Sequence, residues 1–203
     1  NGSGDRHSVK QGDSQSPEAA GSAPAAARGT TSVSPWVSRF ARLIPAGQPV
    51  LDLACGSGRH SGLLLELGYP VVAVDRDLSR LGGLADHPQL ECLACDLETG
   101  EKPAFLSRRF GGIVVTNYLH RPLLAPLADA LSPGGVLIYE TFARGNERFG
   151  KPSNPDFLLE QGELLRCFLG RLKILAFEDL VVETPRPAAV QRLCARAPGE
   201  PVS

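Results

Sequence analysis

The sequence predicts an α/β protein built on a doubly wound sheet of seven strands, mostly parallel, with an antiparallel strand pair at its end. Three observations lead to this fold. Five short, almost continuously apolar runs alternate with stretches of helical periodicity, as in a parallel sheet covered by helices on both faces. The first of these runs passes directly into a glycine-rich loop. The last third holds two further apolar runs with no helical pattern between them, which favours antiparallel pairing.

The overall composition is that of a globular protein without a strong charge bias. The chain has 203 residues, with 21 Lys and Arg against 22 Asp and Glu, and a formal net charge of −1. Such a balance creates no global field that would attract nucleic acid or an anionic membrane. The apolar runs are too short to span a membrane, and five irregularly spaced cysteines favour reduced thiols. We therefore expect a soluble, cytoplasmic protein.

The first 34 residues differ in composition from the rest of the chain. They are rich in Gly, Ser, Ala and Pro and contain no Leu, Ile or Phe. Because such a segment buries too little apolar surface to offset its ordering entropy, we predict a disordered tail over residues 1–34 and one folded domain over 35–203. A partner-binding arm that folds on contact is the alternative for the tail. A short helix is predicted from Trp36 to Ile44.

The predicted elements then follow in order. The five apolar runs predict strands at 50–54, 71–74, 90–94, 113–116 and 136–139, and the periodic stretches between them predict helices at 59–67, 77–85 and 123–131. Asn154-Pro155-Asp156 has the N-cap, first-position proline and first-turn acid of a helix start, so a helix is predicted from there to about Leu169. Strands at 172–177 and 190–195 complete the sheet.

The glycine-rich loop is the most informative stretch of the sequence. Gly56 and Gly58 lie between a buried strand and a helix, where glycine lets the backbone approach a ligand and the helix N-terminus favours polar or anionic groups. The dinucleotide-binding fingerprint would place Gly or Ala at position 61, and Ser61 stands there instead. Asp52, inside the strand, needs a partner if it is buried. The alternative is a plain tight turn.

Two further acids follow the second and third predicted strands. Asp75 ends the second strand, where a carboxylate can accept hydrogen bonds from both hydroxyls of a ribose. Asp96 ends the third strand, where a carboxylate can accept from an adenine amino group. The alternatives are helix N-capping for Asp75 and a turn role for Asp96. Three acids at successive strand ends beside one glycine loop are more specific than any one of them alone.

These segments together resemble a known enzyme family. Residues 52–59 (DLACGSGR), 71–75 (VVAVD), 95–97 (CDL) and 131–138 (LSPGGVLI) are similar to the class I S-adenosylmethionine-dependent methyltransferases, and GSGRHS is most similar to their tellurite-resistance, TehB-like type. The resemblance covers roughly residues 36–197 and implies a Rossmann-like fold and S-adenosylmethionine as cofactor. It implies a methionine moiety near Asp52, Ala54 and Gly56, ribose at Asp75, and adenine near Arg76, Asp96 and Leu97. The other residues expected at the cofactor are Gly58, Arg59, Asn117 and Tyr118.

The methyl acceptor is expected beyond the fourth and fifth strands, at the edge that faces the methyl group in the resembled family. His120 is the candidate catalytic base, since an imidazole can accept a proton from a substrate, with a capping or packing role as the alternative. The long segment after the fifth strand is interpreted as a substrate cover, in which Arg144 and Arg148 could bind an anionic group. A solvated loop is the alternative interpretation. Cys92 and Cys95 would point to opposite faces of a strand, so no metal site is predicted.

The sequence thus predicts a methyltransferase that acts on a small-molecule acceptor. An RNA or protein methyltransferase and a non-catalytic S-adenosylmethionine-binding subunit are the alternatives. An NAD-dependent oxidoreductase is disfavoured by Ser61 and Asp52.

Overall fold

The computed structural model describes residues 32–199, which fold around one seven-stranded sheet. Its strands are β1 (Val50–Leu53), β2 (Val71–Asp75), β3 (Leu90–Ala94), β4 (Phe110–Thr116), β5 (Leu131–Phe142), β6 (Lys173–Val182) and β7 (Ala188–Arg196). They lie in the order β3-β2-β1-β4-β5-β7-β6. All pairs from β3 to β5 are parallel, whereas β7 pairs antiparallel with both β5 and β6. The predicted fold class is confirmed.

The helices cover both faces of the sheet. They are α1 (Pro35–Phe40), α2 (Arg59–Glu66), α3 (Leu124–Asp129) and α4 (Glu163–Phe168). Because alternate strand residues point to opposite faces, β1 contributes Leu51 and Leu53 to the core shared with α3 and α4, and Val50 to the core shared with α1 and α2. The central strands β1 and β4 are buried along their whole length, as their apolar runs predict, whereas the edge strand β3 is partly exposed.

Two of the predicted helices are wrong in form. The segment predicted as a helix at 77–85 is a 3₁₀ segment, Ser79–Asp86, interrupted at Gly82, whose φ of 53° and ψ of −138° are not helical. The helix predicted from Asn154 to Leu169 is broken into a 3₁₀ turn, Pro155–Phe157, and α4. Between them Leu158 and Leu159 are extended and fully buried, so burial of these two side chains overrides the helical pattern.

The predicted boundary between tail and domain, at residues 34 and 35, lies at the start of α1. Residues 1–31 of the predicted tail lie outside the described residues. Ser34, at the end of that tail, is buried, and its hydroxyl accepts hydrogen bonds from the backbone N–H groups of Trp36 and Val37 at the start of α1. The ordered domain therefore includes Ser34, because this residue is the N-cap of the first helix. Within residues 32–199, no helix is long and apolar enough to cross a membrane.

Candidate functional site

The parallel pairing of the strands brings the predicted site residues to one edge of the sheet. Leu53 of β1 lies beside Val74 of β2 and Val115 of β4, and Asp75 lies beside Ala94 of β3. The loops that follow these four strands therefore start side by side. We call this the carboxyl edge, with a cofactor half after β1, β2 and β3 and an acceptor half after β4, β5 and the start of β7.

The glycine-rich loop turns sharply from β1 into α2. Ala54, Gly56 and Gly58 all have positive φ values, of 54°, 57° and 73°. The Ala54 conformation is unusual for a residue with a side chain, and such outliers concentrate at functional sites. A Cβ atom at Gly58 would lie 2.6 Å from a methyl group of Leu81, whereas at Gly56 it would meet only Nη1 of Arg80, at 3.8 Å. Gly58 is thus needed for packing, and Gly56 leaves room for a ligand.

Asp75 ties the end of β2 to this loop. One carboxylate oxygen accepts the backbone N–H of Gly56 at 2.9 Å, and the other accepts the N–H of Asp77 at 3.1 Å. The second bond gives Asp75 a local turn role of the kind expected under the alternative interpretation. Each carboxylate oxygen can accept more than one hydrogen bond, so the half-buried group keeps capacity for the hydroxyls of a ribose.

Asp52 finds the partner that its burial demands. Its side chain is 1% exposed, and the hydroxyl of Ser61 donates a 2.6 Å hydrogen bond to it. Burial raises the pKa of Asp52 to about 6, although the hydrogen bond from Ser61 and the charge of Arg59 act against that rise. Ser61, which departs from the dinucleotide fingerprint, therefore has a structural role, because its hydroxyl provides a hydrogen bond to a buried carboxyl group.

The hydroxyl of Tyr118, in the loop after β4, lies near the acids of the cofactor half. Tyr118 follows β4, and its hydroxyl is buried and makes no hydrogen bond of normal geometry within residues 32–199. Burial, together with the charges of Glu98, Asp96 and Asp75, raises the pKa of Tyr118. Asp96 is exposed and accepts the N–H of Glu98 at 2.9 Å, as a turn residue does. The unpaired hydroxyl and the exposed carboxylate are groups that a ligand could satisfy.

The other residues that were predicted to lie at the cofactor differ in burial. Leu97 is buried in the main core beside this region, and Arg76 is exposed. Arg80 was not predicted, and its guanidinium approaches the open space at Gly56. Arg80 lies within the kinked 3₁₀ segment Ser79–Asp86, where the sequence predicts a regular helix, so its position could not be read from the sequence.

The acceptor half is built around a row of polar side chains that crosses four strands. Thr116 on β4, Glu140 on β5, Arg192 on β7 and Glu178 on β6 are direct neighbours in the strand register. Glu140 and Arg192 form an ion pair of 2.6 Å, with side chains only 13% and 17% exposed. We call these four residues the polar row; none of them was predicted, although an acid just after an apolar strand is a weak signal for Glu140.

Ser34 and His60 cover the polar row. The hydroxyl of Ser34 donates to Glu140 at 2.9 Å, while its backbone N–H donates to Nε2 of His60 at 3.1 Å. His60 is 2% exposed, and burial, reinforced by the charge of Arg59, lowers its pKa to about 3. Because Nε2 accepts, the proton lies on Nδ1, which contacts the hydroxyl of Thr116 at 3.3 Å. His60 is therefore a neutral hydrogen-bonding residue that sequence reasoning missed.

Arg59 lies between the two halves. Its guanidinium reaches the hydroxyl of Thr116 at 3.4 Å, and the charges of Asp52 and Glu140 both act on it. Burial lowers the pKa of Arg59. The predicted cofactor residue thus stands where the glycine loop meets the polar row.

The loop after β4 carries Asn117 and His120. Asn117 has a φ of 54°, a second strained position at the carboxyl edge, and its N–H donates to the carbonyl of Glu140. His120 is half-buried, and its carbonyl accepts the N–H of Leu123 at the start of a 3₁₀ turn. The next residue, Arg121, binds Glu163 at the start of α4 through an ion pair of 2.7 Å.

The predicted substrate arginines belong to the segment between β5 and α4, residues 143–162, which we call the cover. Arg144 is exposed and forms an ion pair of 2.8 Å with Glu160. Arg148 is also exposed, donates to the carbonyl of Gly145, and lies over the ring of Phe149. Both guanidinium groups are thus engaged within the cover itself.

The cysteines form no metal site in the described part of the chain. All five thiols are free, and no group of three or more His, Cys, Asp or Glu side chains within residues 32–199 could hold a metal ion. Burial raises the pKa of Cys55, which follows the strained Ala54, so this thiol stays protonated in the glycine loop.

Comparison with known proteins agrees with this architecture. Residues 29–118 match the family model described as tellurite resistance protein TehB. That segment holds the glycine loop, β2, β3 and β4. No curated protein has a sequence that matches the chain.

Solved structures share the fold at low sequence identity. The TehB structure from Haemophilus influenzae superposes with a TM-score of 0.66 at 19% identity, over 83% of this chain and 63% of that one. The chain therefore spans less than two thirds of that protein. The 1,6-didemethyltoxoflavin-N1-methyltransferase of Burkholderia thailandensis, solved with S-adenosylhomocysteine, has a TM-score of 0.60 at 20% identity, over 81% and 77% of the two chains. The N-methyltransferase NodS from Bradyrhizobium japonicum has a TM-score of 0.59 at 14% identity, over 79% and 93%.

The sheet order, the glycine loop at its carboxyl edge and the family-model match over residues 29–118 agree with one another. Together they show that the chain is similar to tellurite resistance protein TehB over residues 29–118 and shares its fold with solved methyltransferases.

Proposed function

We propose that the protein transfers a methyl group from S-adenosylmethionine to a small-molecule acceptor bound under the cover. The observation that carries this proposal is the bond from the N–H of Gly56 to Asp75, which joins the glycine loop to the acid at the end of β2. The bonded carboxylate of Asp75 and N–H of Gly56 form one polar wall beside the glycine-rich loop. The rest of the proposal assigns roles to the residues around that wall.

The cofactor half offers groups that match each part of S-adenosylmethionine. Asp75 would accept the ribose hydroxyls, and Asp96, with Leu97 and Arg76 beside it, would face the adenine. Asp52, Ala54, Gly56 and Gly58 would line the methionine moiety, close to Arg59. The buried hydroxyl of Tyr118 and the backbone of Asn117 would close the site from β4. The unpaired hydroxyl and the open space at Gly56 support this fit.

The acceptor half would orient the nucleophile. When bound, S-adenosylmethionine supplies a methyl group on a positively charged sulfur, which is already activated for transfer. The chain therefore has to align the acceptor atom and exclude water, and alignment of this kind can contribute about 7–11 kcal/mol. His120 would accept the proton of an acceptor that arrives protonated.

Two features support a small acceptor. The cover is bonded to the loop after β4 on one side and to β7 on the other, which would confine the acceptor. The net charge of −1 provides no general attraction for RNA. If the acceptor is anionic, Arg144 or Arg148 would bind it by exchanging a partner within the cover, as the exposure of the Arg144–Glu160 pair permits.

The first test measures cofactor binding by isothermal titration calorimetry. We expect S-adenosylhomocysteine to bind and NADH not to bind. The matched variant Asp75→Asn should lose affinity, whereas Asp86→Asn, an exposed acid after Gly82, should not. Binding of NADH without S-adenosylhomocysteine would overturn the proposed cofactor.

The second test measures transfer. The protein is incubated with methyl-labelled S-adenosylmethionine and a cell extract divided into small-molecule, RNA and protein fractions. We expect label in the small-molecule fraction. Label only in RNA or protein would replace the proposed acceptor class, and cofactor binding without transfer to any fraction would indicate a non-catalytic subunit.

A further inference from the structure

Arg121 makes an unusually complete set of bonds for an exposed arginine. Its Nε and Nη2 atoms grip the two carboxylate oxygens of Glu163 at 2.7 and 3.0 Å. Its Nη1 donates to the carbonyl of Asp156 at 2.7 Å, and Nη2 also donates to the carbonyl of Leu158 at 2.9 Å. Four hydrogen bonds thus run from one guanidinium to the cover and the start of α4.

Further side-chain anchors of the cover lie on the opposite side, at β7, and the N–H of Leu159 donates to the carbonyl of Phe142 on β5. Gln191, fully buried on β7, donates to the carbonyl of Glu160 at 2.6 Å and accepts the N–H of Leu164 at 3.1 Å. Asn146 is 2% exposed, accepts the N–H of Ala189 and donates to the carbonyl of Pro152. Two buried amides therefore fix the cover to β7, and Arg121 fixes it to the loop after β4.

Glu163 makes this attachment cooperative. The same carboxylate that binds Arg121 also accepts the N–H of Glu160 at 2.7 Å, so it joins the cover to the first turn of α4. Burial acts to raise the pKa of Glu163, yet the hydrogen bond and charge of Arg121 leave it below its usual value. The carboxylate is therefore ionised and available to Arg121 at neutral pH.

We propose that Arg121 is a positioning residue that latches the cover onto the loop carrying His120 and thereby sets the affinity for the methyl acceptor. This inference rests on the proposed function, because it takes the space under the cover as the acceptor site. Arg121 touches the cover on one side and follows His120 directly in the chain. Loss of the latch would loosen both walls of that space while the cofactor half, tied by Asp75 and Gly56, stays intact.

The chemistry of the latch requires arginine. The planar guanidinium presents two parallel N–H groups to one carboxylate and keeps further donors for the two carbonyls. A lysine ammonium could bind Glu163 as a point charge, but it cannot hold the carboxylate and both carbonyls in this geometry. Arg121→Lys therefore keeps the charge and removes the latch.

Trypsin provides a readout that is independent of the acceptor. The cover carries the exposed residues Arg144 and Arg148, which are cleavage sites when the cover opens. We expect Arg121→Lys to raise the rate of cleavage within the cover about tenfold, equivalent to about 1.4 kcal/mol of lost closure. The Kd for S-adenosylhomocysteine should change less than about twofold.

The matched control is Arg108→Lys. Arg108, just before β4, forms one exposed ion pair of 2.9 Å with Glu91 at the start of β3, and neither residue belongs to the cover, so its loss should leave cleavage of the cover unchanged. Glu163→Gln should act in the same direction as Arg121→Lys, and the double variant should open the cover by less than the sum of the two single effects, because both remove the Arg121–Glu163 interaction.

Transfer kinetics complete the test. With labelled S-adenosylmethionine and the small-molecule extract as acceptor source, Arg121→Lys should raise about tenfold the extract concentration that gives half-maximal transfer, while the KM for S-adenosylmethionine stays constant. Unchanged cleavage and unchanged extract dependence would overturn the latch, and so would a parallel loss of S-adenosylhomocysteine affinity. If the wild-type protein transfers no methyl group but the cleavage difference remains, the proposed function fails while the attachment of the cover stands.

Discussion

The two halves of the carboxyl edge are held together by different kinds of interaction. In the cofactor half, the acids bind backbone N–H groups, as Asp75 does with Gly56 after the neighbouring strand and with Asp77, and Asp96 with Glu98. In the acceptor half, side chains bind one another across long stretches of sequence, as in the polar row and the latch of Arg121. The cofactor half is thus shaped by loop conformation, and the acceptor half by tertiary contacts.

The two halves should therefore respond differently to amino-acid substitutions. A backbone-based site depends on a few glycines and one acid, and most of its other side chains can vary. Removal of one member of a side-chain network lowers the free energy of unfolding more, since the remaining members stay buried without a hydrogen-bond or ion-pair partner. Three substitutions and one pH comparison test this difference between the two halves.

The largest effect is expected from Glu140→Ala. This change leaves Arg192 and the hydroxyl of Ser34 without their buried partner, which should lower the free energy of unfolding by about 4 kcal/mol. Urea denaturation measures the loss. Glu178→Ala is the matched control, because Glu178 binds the same arginine at 3.3 Å from a more exposed position and should cost below about 1 kcal/mol. Equal losses in the two variants would contradict the importance of burial in the polar row.

Asp75→Asn should instead weaken cofactor binding. The amide keeps the shape of the carboxylate but lacks its charge, so the hydrogen bonds to Gly56 and to a ribose become weaker. We expect a loss of about 3 kcal/mol, or roughly 100-fold in the Kd for S-adenosylhomocysteine measured by calorimetry. Asp77→Asn changes an exposed acid that binds only Ser79 among the described contacts, and should change the Kd less than about twofold. If both variants bind equally well, Asp75 is not the ribose acceptor.

Gly58→Ala tests the packing of the glycine loop. The new Cβ would meet methyl groups of Leu81 and Leu84 at 2.6 and 2.8 Å, and the φ of 73° is itself strained for alanine. We expect a loss of between about 2 and 3 kcal/mol of unfolding free energy, seen by urea denaturation. Gly62→Ala, in the open interior of α2, should be neutral or stabilising by up to about 1 kcal/mol. The prediction is wrong if the two variants lose stability alike.

The smallest effect is a pH dependence from His60. The unfolded chain takes up a proton below pH 6.5, whereas the folded state resists protonation until about pH 3, so this group's contribution is complete above pH 6.5 and is lost as the pH falls. The loss should reach about 2 kcal/mol at pH 5, at about 1.4 kcal/mol per pH unit. Urea denaturation of wild type and His60→Gln at pH 7 and pH 5 measures it as the difference between the two proteins.

That comparison also removes the effect of Asp52, which acts in the opposite direction. Its pKa is raised to about 6, so ionisation of Asp52 destabilises the fold as the pH rises from about 4 to 6. Asp52 is present in both proteins and cancels. If His60→Gln keeps the full pH dependence of the wild type between pH 7 and pH 5, His60 is not the buried neutral group described above.

The accuracy of the sequence-based prediction follows the same division. The alternation of apolar runs and helices correctly predicted the parallel sheet and its antiparallel end, because strands buried on both faces need continuous apolar sequence. The helix through Asn154 was wrong because Leu158 and Leu159 bury themselves in an extended conformation. The helix predicted at 77–85 was wrong because a local helical pattern carries no information on where the backbone must turn, as it does at Gly82.

The fold, the glycine loop and the three acids at the strand ends can be recognised in the amino-acid sequence alone. These features are local, since each follows from a short run of residues whose periodicity, glycine content or position at a strand end can be recognised. The folded structure was needed to show that Ser61 donates a hydrogen bond to Asp52, that His60 is neutral and buried, and that Arg121 binds the cover. These depend on side chains that are distant in sequence and meet only after the sheet has formed.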